Sequence, residues 1–372
     1  MRASCIVDTT RRSMLSLIRN CNRILIIKLS SIGDVVMTTP VAEMLRNSYP
    51  KAHIAWVVED RCKDALIGNP YLDEVIVWNR GSGKYTGFRK TIEFWCSLER
   101  LGRELRSRRF DVAIDFQGLF RSAVVGLFSG ARYRVGSDDA GECATFFYNR
   151  HARIMDSASA EPRHRISLKE MIDAFIEKRS MLFPIDDADR EFASEFLSGA
   201  STGDHTNAAL SSGFVGMCPA TTWPQKHWTE RGWAELGDLM SSEHGLIPVF
   251  LGSNSDSPLI ARIRSLMKQD AIDASGQTTL KQAAAIIERC RLVVAVDTGL
   301  LHISMAMKRP TIGLFGPTRW EHFNKVHDFV AVSKGRDCMP CLRHPSCKNF
   351  DCMMDITPDD IIKAAGEWLL RN

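Results

Sequence analysis

Short apolar runs alternate with amphipathic stretches along most of this chain. Four runs in the first half are apolar enough to predict buried strands, and they cover residues 23–29, 53–59, 73–78 and 110–118. Between them, apolar residues recur at helical spacing over 34–46 and 88–108. Alternating strands and helices of this size are typical of a mostly parallel sheet that carries helices on both faces.

The same alternation returns in the second half, after an interruption. Helical spacing over 165–181 and 189–197 is followed by a polar stretch of small residues without a period, 198–212. Predicted elements then alternate again, with strands over 214–219, 246–252, 271–275 and 291–297 and helices over 229–243, 258–268 and 280–289. We therefore predict an α/β fold of two Rossmann-like, doubly wound domains that face each other across a cleft.

The pattern also predicts where the domains begin and end. We assign 1–22 to an N-terminal extension, 23–197 to the first domain, 198–212 to a linker and 213–357 to the second domain. The extension is either an inert tail or a short helix at a membrane interface. A last amphipathic helix, 358–372, either stays with the second domain or crosses back to the first.

Composition and charge exclude several classes of protein. The chain has 372 residues, of which 45% are hydrophobic and 25% charged, as in ordinary globular proteins. A net charge of +4 is too small to argue for nucleic acid, but it favours approach to an anionic membrane face or a phosphorylated substrate. No apolar run reaches the length of about 20 residues that spans a bilayer, and the N-terminal segment has no signal-peptide core.

Four of the eleven cysteines form a compact group near the C-terminus: Cys338, Cys341, Cys347 and Cys352. A cysteine quartet can close a tetrahedral zinc site, although this spacing departs from common zinc modules and His344 is a competing ligand. The alternative is a set of packed or redox-labile thiols. We expect no catalytic role for these cysteines in either case.

Candidate chemistry first appears where the predicted strand 291–297 ends. Asp297 closes the strand, and Thr298 and Gly299 open a helix whose free N–H groups could hold a phosphate. His302 lies one turn into that helix and could reach the same ligand. The alternative is an ordinary helix cap beside a satisfied core histidine, and this short motif leaves both interpretations open.

Two further loops carry polar residues after predicted strands. The loop 218–228 places Thr221, Thr222 and Lys226 close together, which suits a diphosphate leaving group, whereas a lone Lys226 would be a solvated loop lysine. The loop after the first strand brings a tight turn of small residues to Asp34 at a helix start. Such a carboxylate is often only a stabilising charge on the helix.

Taken together, these segments resemble glycosyltransferase family 9, the ADP-heptose:lipopolysaccharide heptosyltransferases, from about residue 23 to the last helix. The matching blocks read KLSSIGDVVMTTP, YPKAHIAWVVE, DVAIDFQGLFRSA, FFYNR, ATTWPQKHW and VDTGLLHISMAMKRPTIGLFGPT. The resemblance implies the GT-B architecture of two Rossmann-like lobes. It also implies transfer of heptose from ADP-heptose to the lipopolysaccharide inner core.

The resemblance assigns catalytic and donor-binding roles by position. Asp34 falls where the family has its general base, and Lys226 falls where the family stabilises the departing ADP. The implied donor-binding residues are Thr221, Thr222, Lys226, Asp256, Asp297, Thr298, Gly299 and His302. Among them, Asp256 lies near the family's acidic contact to the adenosine ribose.

The implied acceptor side consists of Ser31, Gly33, Gln117 and Arg121. The family member that adds the first heptose carries an Arg-Glu pair just before its FYNR block. Here that stretch reads DDAGECATFFYNR and contains no arginine before the block. The acceptor is therefore open between Kdo and a heptose that is already attached.

The resulting hypothesis is an inverting glycosyltransferase with Asp34 as base. It needs no cofactor and no metal, works at the cytoplasmic face of the inner membrane as a peripheral protein, and binds a lipid-anchored acceptor. The alternatives are a relative that transfers another sugar, a nucleotide-sugar epimerase of similar fold and a non-catalytic sugar-binding relative. A nicotinamide enzyme is disfavoured because no Gly-x-Gly-x-x-Gly follows the first strand.

Overall fold

The computed structural model describes residues 21–80, 87–138, 140–152, 154–155, 165–166, 180–200, 213–323, 326–342, 347 and 349–370. The chain divides into two compact units, Met1–Leu182 and Phe183–Asn372. Each unit is built on a six-stranded sheet whose neighbouring strands all run parallel. The predicted pair of Rossmann-like α/β domains is therefore confirmed.

The sheet of the first unit has the strand order β3-β2-β1-β4-β5-β6. Its strands are β1 (Arg23–Ile27), β2 (His53–Glu59), β3 (Glu74–Trp78), β4 (Val112–Asp115), β5 (Tyr133–Ser137) and β6 (Arg150–Ala152). Its helices are α1 (Ile32–Thr38), α2 (Pro40–Ser48), α3 (Gly87–Ser107) and α4 (Phe120–Phe128). A separate antiparallel pair is formed by β7 (Ile154–Met155) and β8 (Arg165–Ile166).

The sheet of the second unit repeats this order as β11-β10-β9-β12-β13-β14. Its strands are β9 (Phe214–Cys218), β10 (Ile247–Phe250), β11 (Ile272–Asp273), β12 (Cys290–Val296), β13 (Thr311–Leu314) and β14 (Phe329–Val332). Its helices are α5 (Asp187–Ala200), α6 (Glu230–Ser242), α7 (Ser257–Leu266), α8 (Leu280–Arg289), α9 (Gly299–Ala306), α10 (Asp351–Met354) and α11 (Pro358–Leu370).

The central strands explain why the sequence reads as continuous apolar runs. Ile24, Leu25, Ile26 and Ile27 of β1 are all fully buried, because helices cover both faces of a parallel sheet. In both sheets the strand order reverses between the central pair, β1 and β4 or β9 and β12. Loops at the carboxyl ends of such a pair open a crevice, which is the usual ligand site of this fold.

One predicted helix is divided in two. The pattern over 34–46 indicates a single helix, but the structure ends α1 at Thr38 and starts α2 at Pro40. Pro40 has no N–H to donate to the carbonyl of Val36. That carbonyl instead accepts from the N–H of Thr39 at 3.1 Å and from its hydroxyl at 2.7 Å.

The boundary between the units corrects the predicted domain limits. The prediction ends the first domain at residue 197, whereas the structure divides the chain after Leu182. Helix α5 packs against α8, and Arg190 forms an ion pair with Glu288 of α8 at 2.9 Å. Helical periodicity shows that a helix has an apolar face, but it does not show which sheet that face covers.

Four further predictions are tested only in part by the described residues. The predicted linker 198–212 loses its first residues to α5, which continues to Ala200, and 201–212 lies outside the described residues. The predicted helix 165–181 begins as strand β8, and most of it also lies outside, as does the extension up to residue 20. Helix α11 packs against α6 and strands β12 to β14, and a crossing to the first unit stays a prediction.

Candidate functional site

In the first unit, the predicted base stands in the loop that follows β1. Asp34 is exposed near the start of α1, where Ser31 donates to its Oδ2 from both the backbone N–H and the hydroxyl, each at 3.1 Å. This arrangement caps the helix, so the stabilising role weighed for Asp34 is present. The exposure of the same carboxylate also leaves room for a ligand, and the two roles are compatible.

The loop after β4 brings the predicted acceptor-side residues to the same place. Gln117 accepts the N–H of Ser30 on its Oε1 at 3.2 Å, and Arg121 donates to the Ser30 hydroxyl at 2.8 Å. Gly33 is buried in the first turn of α1 beside Asp34. The structure therefore gathers the predicted residues of this unit at one edge of the sheet, because β1 and β4 are neighbours.

Sequence reasoning missed a cluster of charges beside Arg121. Glu59, at the end of β2, has a side chain only 9% exposed and lies 3.2 Å from Arg121. It also pairs with Arg80 at 2.7 Å and with Arg61 at 3.1 Å. Three guanidinium groups around one carboxylate leave an excess of positive charge at the carboxyl edge of the sheet. The signal in the sequence was a single charged residue at the end of an apolar strand.

In the second unit, the loops after β9 and β12 meet through an ion pair. The ammonium of Lys226 lies 2.6 Å from Oδ2 of Asp297, and the two side chains are 13% and 17% exposed. The same ammonium stands 4.3 Å from the ring centroid of Trp223, a cation–π contact that the sequence did not predict. Thr221 donates to the backbone carbonyl of Asp297 at 3.3 Å.

The surroundings of Asp297 keep it ionised. Burial alone would raise the pKa of Asp297, but His302 and the charge of Lys226 act in the opposite direction and hold that pKa well below its usual range. Nε2 of His302 lies 3.8 Å from Oδ1 of Asp297, so the two groups face each other without a close hydrogen bond. Nδ1 of His302 is buried, and no residue in the described part of the chain forms a hydrogen bond with it.

The remaining predicted donor residues lie along the same edge. Thr298 is the N-cap of α9 and Gly299 its first residue, so the start of that helix adjoins the ion pair. Thr222 is exposed beside Thr221. Asp256 follows β10, the strand next to β9, and its Oδ2 accepts from the N–H and hydroxyl of Ser253 at 2.8 and 2.6 Å.

The cysteine quartet lies in the second unit and is tied to the Lys226 loop. Gln225 donates to the carbonyl of Leu342, between Cys341 and Cys347, at 3.0 Å. Burial, and then the neighbouring thiols, raise the pKa of Cys341 and Cys352. Among the described residues, no three or more His, Cys, Asp or Glu side chains are arranged to hold a metal ion. His344 lies outside them, and the zinc and thiol alternatives both stay predictions.

In the described part of the chain, no helix combines enough length with enough apolar character to cross a bilayer. The apolar residues of the helices instead cover the two sheets, as in the core around Val125 and Leu101 in the first unit.

Comparison with known proteins adds to this geometry. Residues 98–350 match the model of glycosyltransferase family 9 (heptosyltransferase). The chain is 30% identical to lipopolysaccharide heptosyltransferase 1 of Salmonella typhimurium, over 80% of this chain and 89% of that protein. It is 26% identical to lipooligosaccharide heptosyltransferase 2 of Haemophilus ducreyi, over 93% and 99% of the two chains.

Solved structures share the fold. The glycosyl transferase family 9 protein of Veillonella parvula superposes with a TM-score of 0.73 at 22% identity, over 94% of this chain and 98% of that one. The ADP-heptose lps heptosyltransferase II of E. coli superposes with a TM-score of 0.69 at 23% identity, with the same coverage.

Proposed function

This chain belongs to glycosyltransferase family 9, the heptosyltransferases, and we propose that it transfers heptose from ADP-heptose to the inner core of lipopolysaccharide. Relatives that it matches over most of their length are named for lipopolysaccharide or lipooligosaccharide. The proposed acceptor sugar is Kdo or a heptose that is already attached. The transfer inverts the configuration at the anomeric carbon in a single displacement.

The observation that carries this proposal is the Lys226–Asp297 pair beside the start of α9. A carboxylate holds the ammonium in place, and the helix start offers free N–H groups and a positive dipole end. Thr221 and Thr222 add hydroxyl donors within the same loop. Positive charge and donors together suit a diphosphate, so the proposal requires no divalent metal and no cofactor.

The acceptor half of the proposal concerns the first unit. Asp34 is an exposed carboxylate, and the nearby cluster of Glu59, Arg61, Arg80 and Arg121 carries excess positive charge. Inner-core sugars carry carboxylate and phosphate groups, which guanidinium groups bind well. An anionic acceptor would thus be oriented by arginines while one of its hydroxyls approaches Asp34.

The proposed reaction is one concerted exchange of bonds. Asp34 removes the proton from the acceptor hydroxyl, whose oxygen forms a bond to the anomeric carbon. The bond from that carbon to the ADP phosphate oxygen breaks through an oxocarbenium-like state, the same charge pattern as in glycoside hydrolysis. Lys226, the two threonines and the start of α9 stabilise the negative charge that develops on ADP.

A release assay tests the proposal directly. We expect the purified full-length chain to release ADP from ADP-heptose only when a core acceptor is present, in equal amount to the glycosylated product. The donor panel should contain ADP-heptose, ADP-glucose, GDP-mannose and UDP-glucose. The acceptor panel should contain Kdo-terminated and heptose-terminated core fragments.

Each alternative has its own outcome in that assay. Release with another nucleotide sugar but not with ADP-heptose would assign a different donor. Conversion of the donor to an epimer without acceptor would show an epimerase and refute transfer. Because the proposed acceptor is lipid-anchored, we also expect the chain to float with vesicles that contain the acceptor, as a peripheral protein of the cytoplasmic face.

A further inference from the structure

A buried carboxylate lies at the end of β4, the strand that pairs with β1 in the first unit. Asp115, the last residue of β4, is 2% exposed. Its Oδ1 accepts the N–H groups of Gln117 and Gly118 at 2.8 and 3.1 Å. Its Oδ2 accepts the hydroxyls of Ser122 and Tyr148 at 2.8 and 2.7 Å. Both oxygens are occupied by the protein, so Asp115 does not itself touch substrate.

Tyr148 reaches this carboxylate from a separate segment, the FFYNR block that the proposed reaction leaves unused. The tyrosine follows the short 3-10 helix Ala144–Phe147, and its ring is buried against Gly136 of β5. A Cβ at Gly136 would stand 2.2 Å from the ring carbons of Tyr148. The strand therefore has a glycine where the tyrosine ring needs the space, and the phenol is directed at Asp115.

The two N–H groups bound by Asp115 fix the backbone of the loop after β4. Gly118 in that loop has a φ of +66°, a left-handed conformation that glycine adopts without strain. Ser122, on α4, joins the same carboxylate to the helix that follows the loop. The loop and the helix are thus both hydrogen-bonded to the buried carboxylate of Asp115, which the strand carries.

The fixed loop in turn contacts the segment that carries the base. Gln117 accepts the N–H of Ser30 at 3.2 Å. Ser31 is the next residue, and its N–H and hydroxyl both donate to Asp34. A chain of hydrogen bonds and short backbone links therefore runs from the buried tyrosine to the exposed carboxylate.

We propose that Tyr148 and Asp115 are positioning residues for glycosyl transfer, because they hold the Gln117 loop against the Ser30–Ser31 turn that orients Asp34. The inference rests on the proposed function, since it concerns the surroundings of the proposed base. Effective catalysis by a base depends on geometry, and small misplacements are costly in turnover.

The chain offers a matched control on the same helix. Ser129, the C-cap of α4, is as buried as Ser122, but its hydroxyl donates to the carbonyl of Gly126 at 2.6 Å and accepts the N–H of Ala131 at 3.2 Å. Ser129→Ala therefore removes a buried hydroxyl without a link to Asp115. It reports what a loss of packing and stability alone does to turnover.

The test compares Tyr148→Phe and Ser122→Ala with Ser129→Ala. Tyr148→Phe removes one oxygen and keeps the ring. We expect kcat to fall about 10-fold in Tyr148→Phe and in Ser122→Ala, with the donor KM unchanged, because the loop loses precision and not its fold. We expect Ser129→Ala to keep the wild-type kcat. Thermal unfolding of each variant defines a temperature at which all are folded.

A double-mutant cycle shows whether the effect passes through Gln117. Gln117→Met removes the acceptor for the Ser30 N–H and approximately keeps the volume. If Tyr148 acts through that bond, kcat of the double variant Tyr148→Phe/Gln117→Met should be close to that of Gln117→Met alone. If the losses of kcat in the two single variants instead multiply in the double variant, the proposed route through Gln117 is wrong.

Asp34→Asn, measured in the same series, separates this inference from the proposed function. If Asp34→Asn is inactive and Tyr148→Phe turns over like Ser129→Ala, the positioning role is refuted and the base assignment survives. If Asp34→Asn keeps full turnover, both the base assignment and the positioning role are refuted. An inactive Asp34→Asn together with a selective loss of kcat in Tyr148→Phe supports both.

Discussion

Asp115 and Asp297 occupy corresponding places in the two units. Each stands where the second central strand ends, β4 or β12, and each precedes a short loop and a helix. Their surroundings differ. Asp115 is held by two N–H groups and two hydroxyls and is almost fully buried. Asp297 keeps an exposed fraction of 17% and faces the ammonium of Lys226.

The different partners of the two carboxylates shift their pKa values in opposite directions. Burial raises the pKa of Asp115, although its four neutral donors oppose that shift. Burial acts in the same way on Asp297, but His302 and Lys226 outweigh it and lower the pKa. A shared topology and a similar local motif therefore yield a scaffold in one unit and a charged, partly open site in the other. The partners, which come from distant segments, decide which role each aspartate takes.

Asp34 is an exposed carboxylate, in contrast to Asp115 and Asp297. Its replacement should have the largest effect on turnover. We expect Asp34→Asn to lower kcat by about 10²–10⁴-fold, the usual contribution of a positioned base, while ADP still binds. Glu99→Gln, which changes an exposed carboxylate on α3 of the first unit, is the control. Single-turnover kinetics and ADP titration calorimetry measure the two effects. Near-normal turnover in Asp34→Asn would contradict the assignment.

Removing the cation should leave Asp297 without the charged partner that distinguishes it from Asp115. We expect Lys226→Met to lower kcat/KM for the donor by about 10²–10³-fold, because the departing diphosphate loses a charge placed to stabilise it. The control is Lys334→Met, which breaks an ion pair with Asp360 in the same unit. Steady-state ADP release gives both values. The same loss in both variants would mean that general destabilisation is the cause.

The opposite pKa shifts predict opposite dependences of stability on pH. The stabilisation from ionised Asp297 should be present above about pH 4, the pKa of an unfolded aspartate, and should disappear as the pH falls further. Burial raises the pKa of Asp115 in the folded state, so the contribution of Asp115 to stability is largest below about pH 4 and decreases as the pH rises.

Matched asparagine variants measure these two dependences. The free energy of unfolding lost in Asp297→Asn should grow as the pH rises from 3 to 5, and the loss in Asp115→Asn should shrink over a rising pH. Urea unfolding, followed separately in the transition of each unit, gives the two slopes, each limited to about 1.4 kcal/mol per pH unit for one proton. Slopes of equal sign would contradict the comparison.

The charge cluster at Glu59 should affect the acceptor and leave the donor unaffected. We expect Arg61→Ala to raise the acceptor KM by about 10-fold, since a charge-assisted hydrogen bond is worth roughly 1.5–3 kcal/mol before solvent exposure reduces it. The donor KM should not change. Arg103→Ala, an exposed helix arginine paired with Glu99, is the control. A change in donor KM alone would remove Arg61 from the acceptor side.

Replacement of the glycines that follow the two aspartates, Gly118 and Gly299, should have the smallest effect, and it should act on stability. Gly118 has a φ of +66°, so Gly118→Ala should destabilise the first unit by about 1 kcal/mol. Gly299 begins α9 in a helical conformation, where alanine fits the backbone. Gly299→Ala should therefore keep the stability of the second unit. Thermal unfolding compares the variants, and equal losses would show that backbone strain is not the difference.

The sequence by itself predicted the alternating elements and both sheets. The bounds of α8 and α11 agree with the predicted 280–289 and with the start at 358, because amphipathic periodicity is local and strong there. The sequence also placed Asp34 and Lys226 in the segments that follow two predicted strands, at the carboxyl ends of those strands. Within each parallel sheet, the carboxyl ends of the strands lie at the same edge. Polar residues that follow the strands of one unit could therefore be grouped before their contacts were known.

Only the tertiary structure decided which partners these residues have. Nothing in the sequence near Asp115 indicates that Tyr148, 33 positions later, donates to it. Nor does the pattern of α5 show that it packs on α8, which moved the domain boundary to Leu182. Periodicity records that a residue is buried, whereas charge state and function depend on groups that the fold brings from far along the chain.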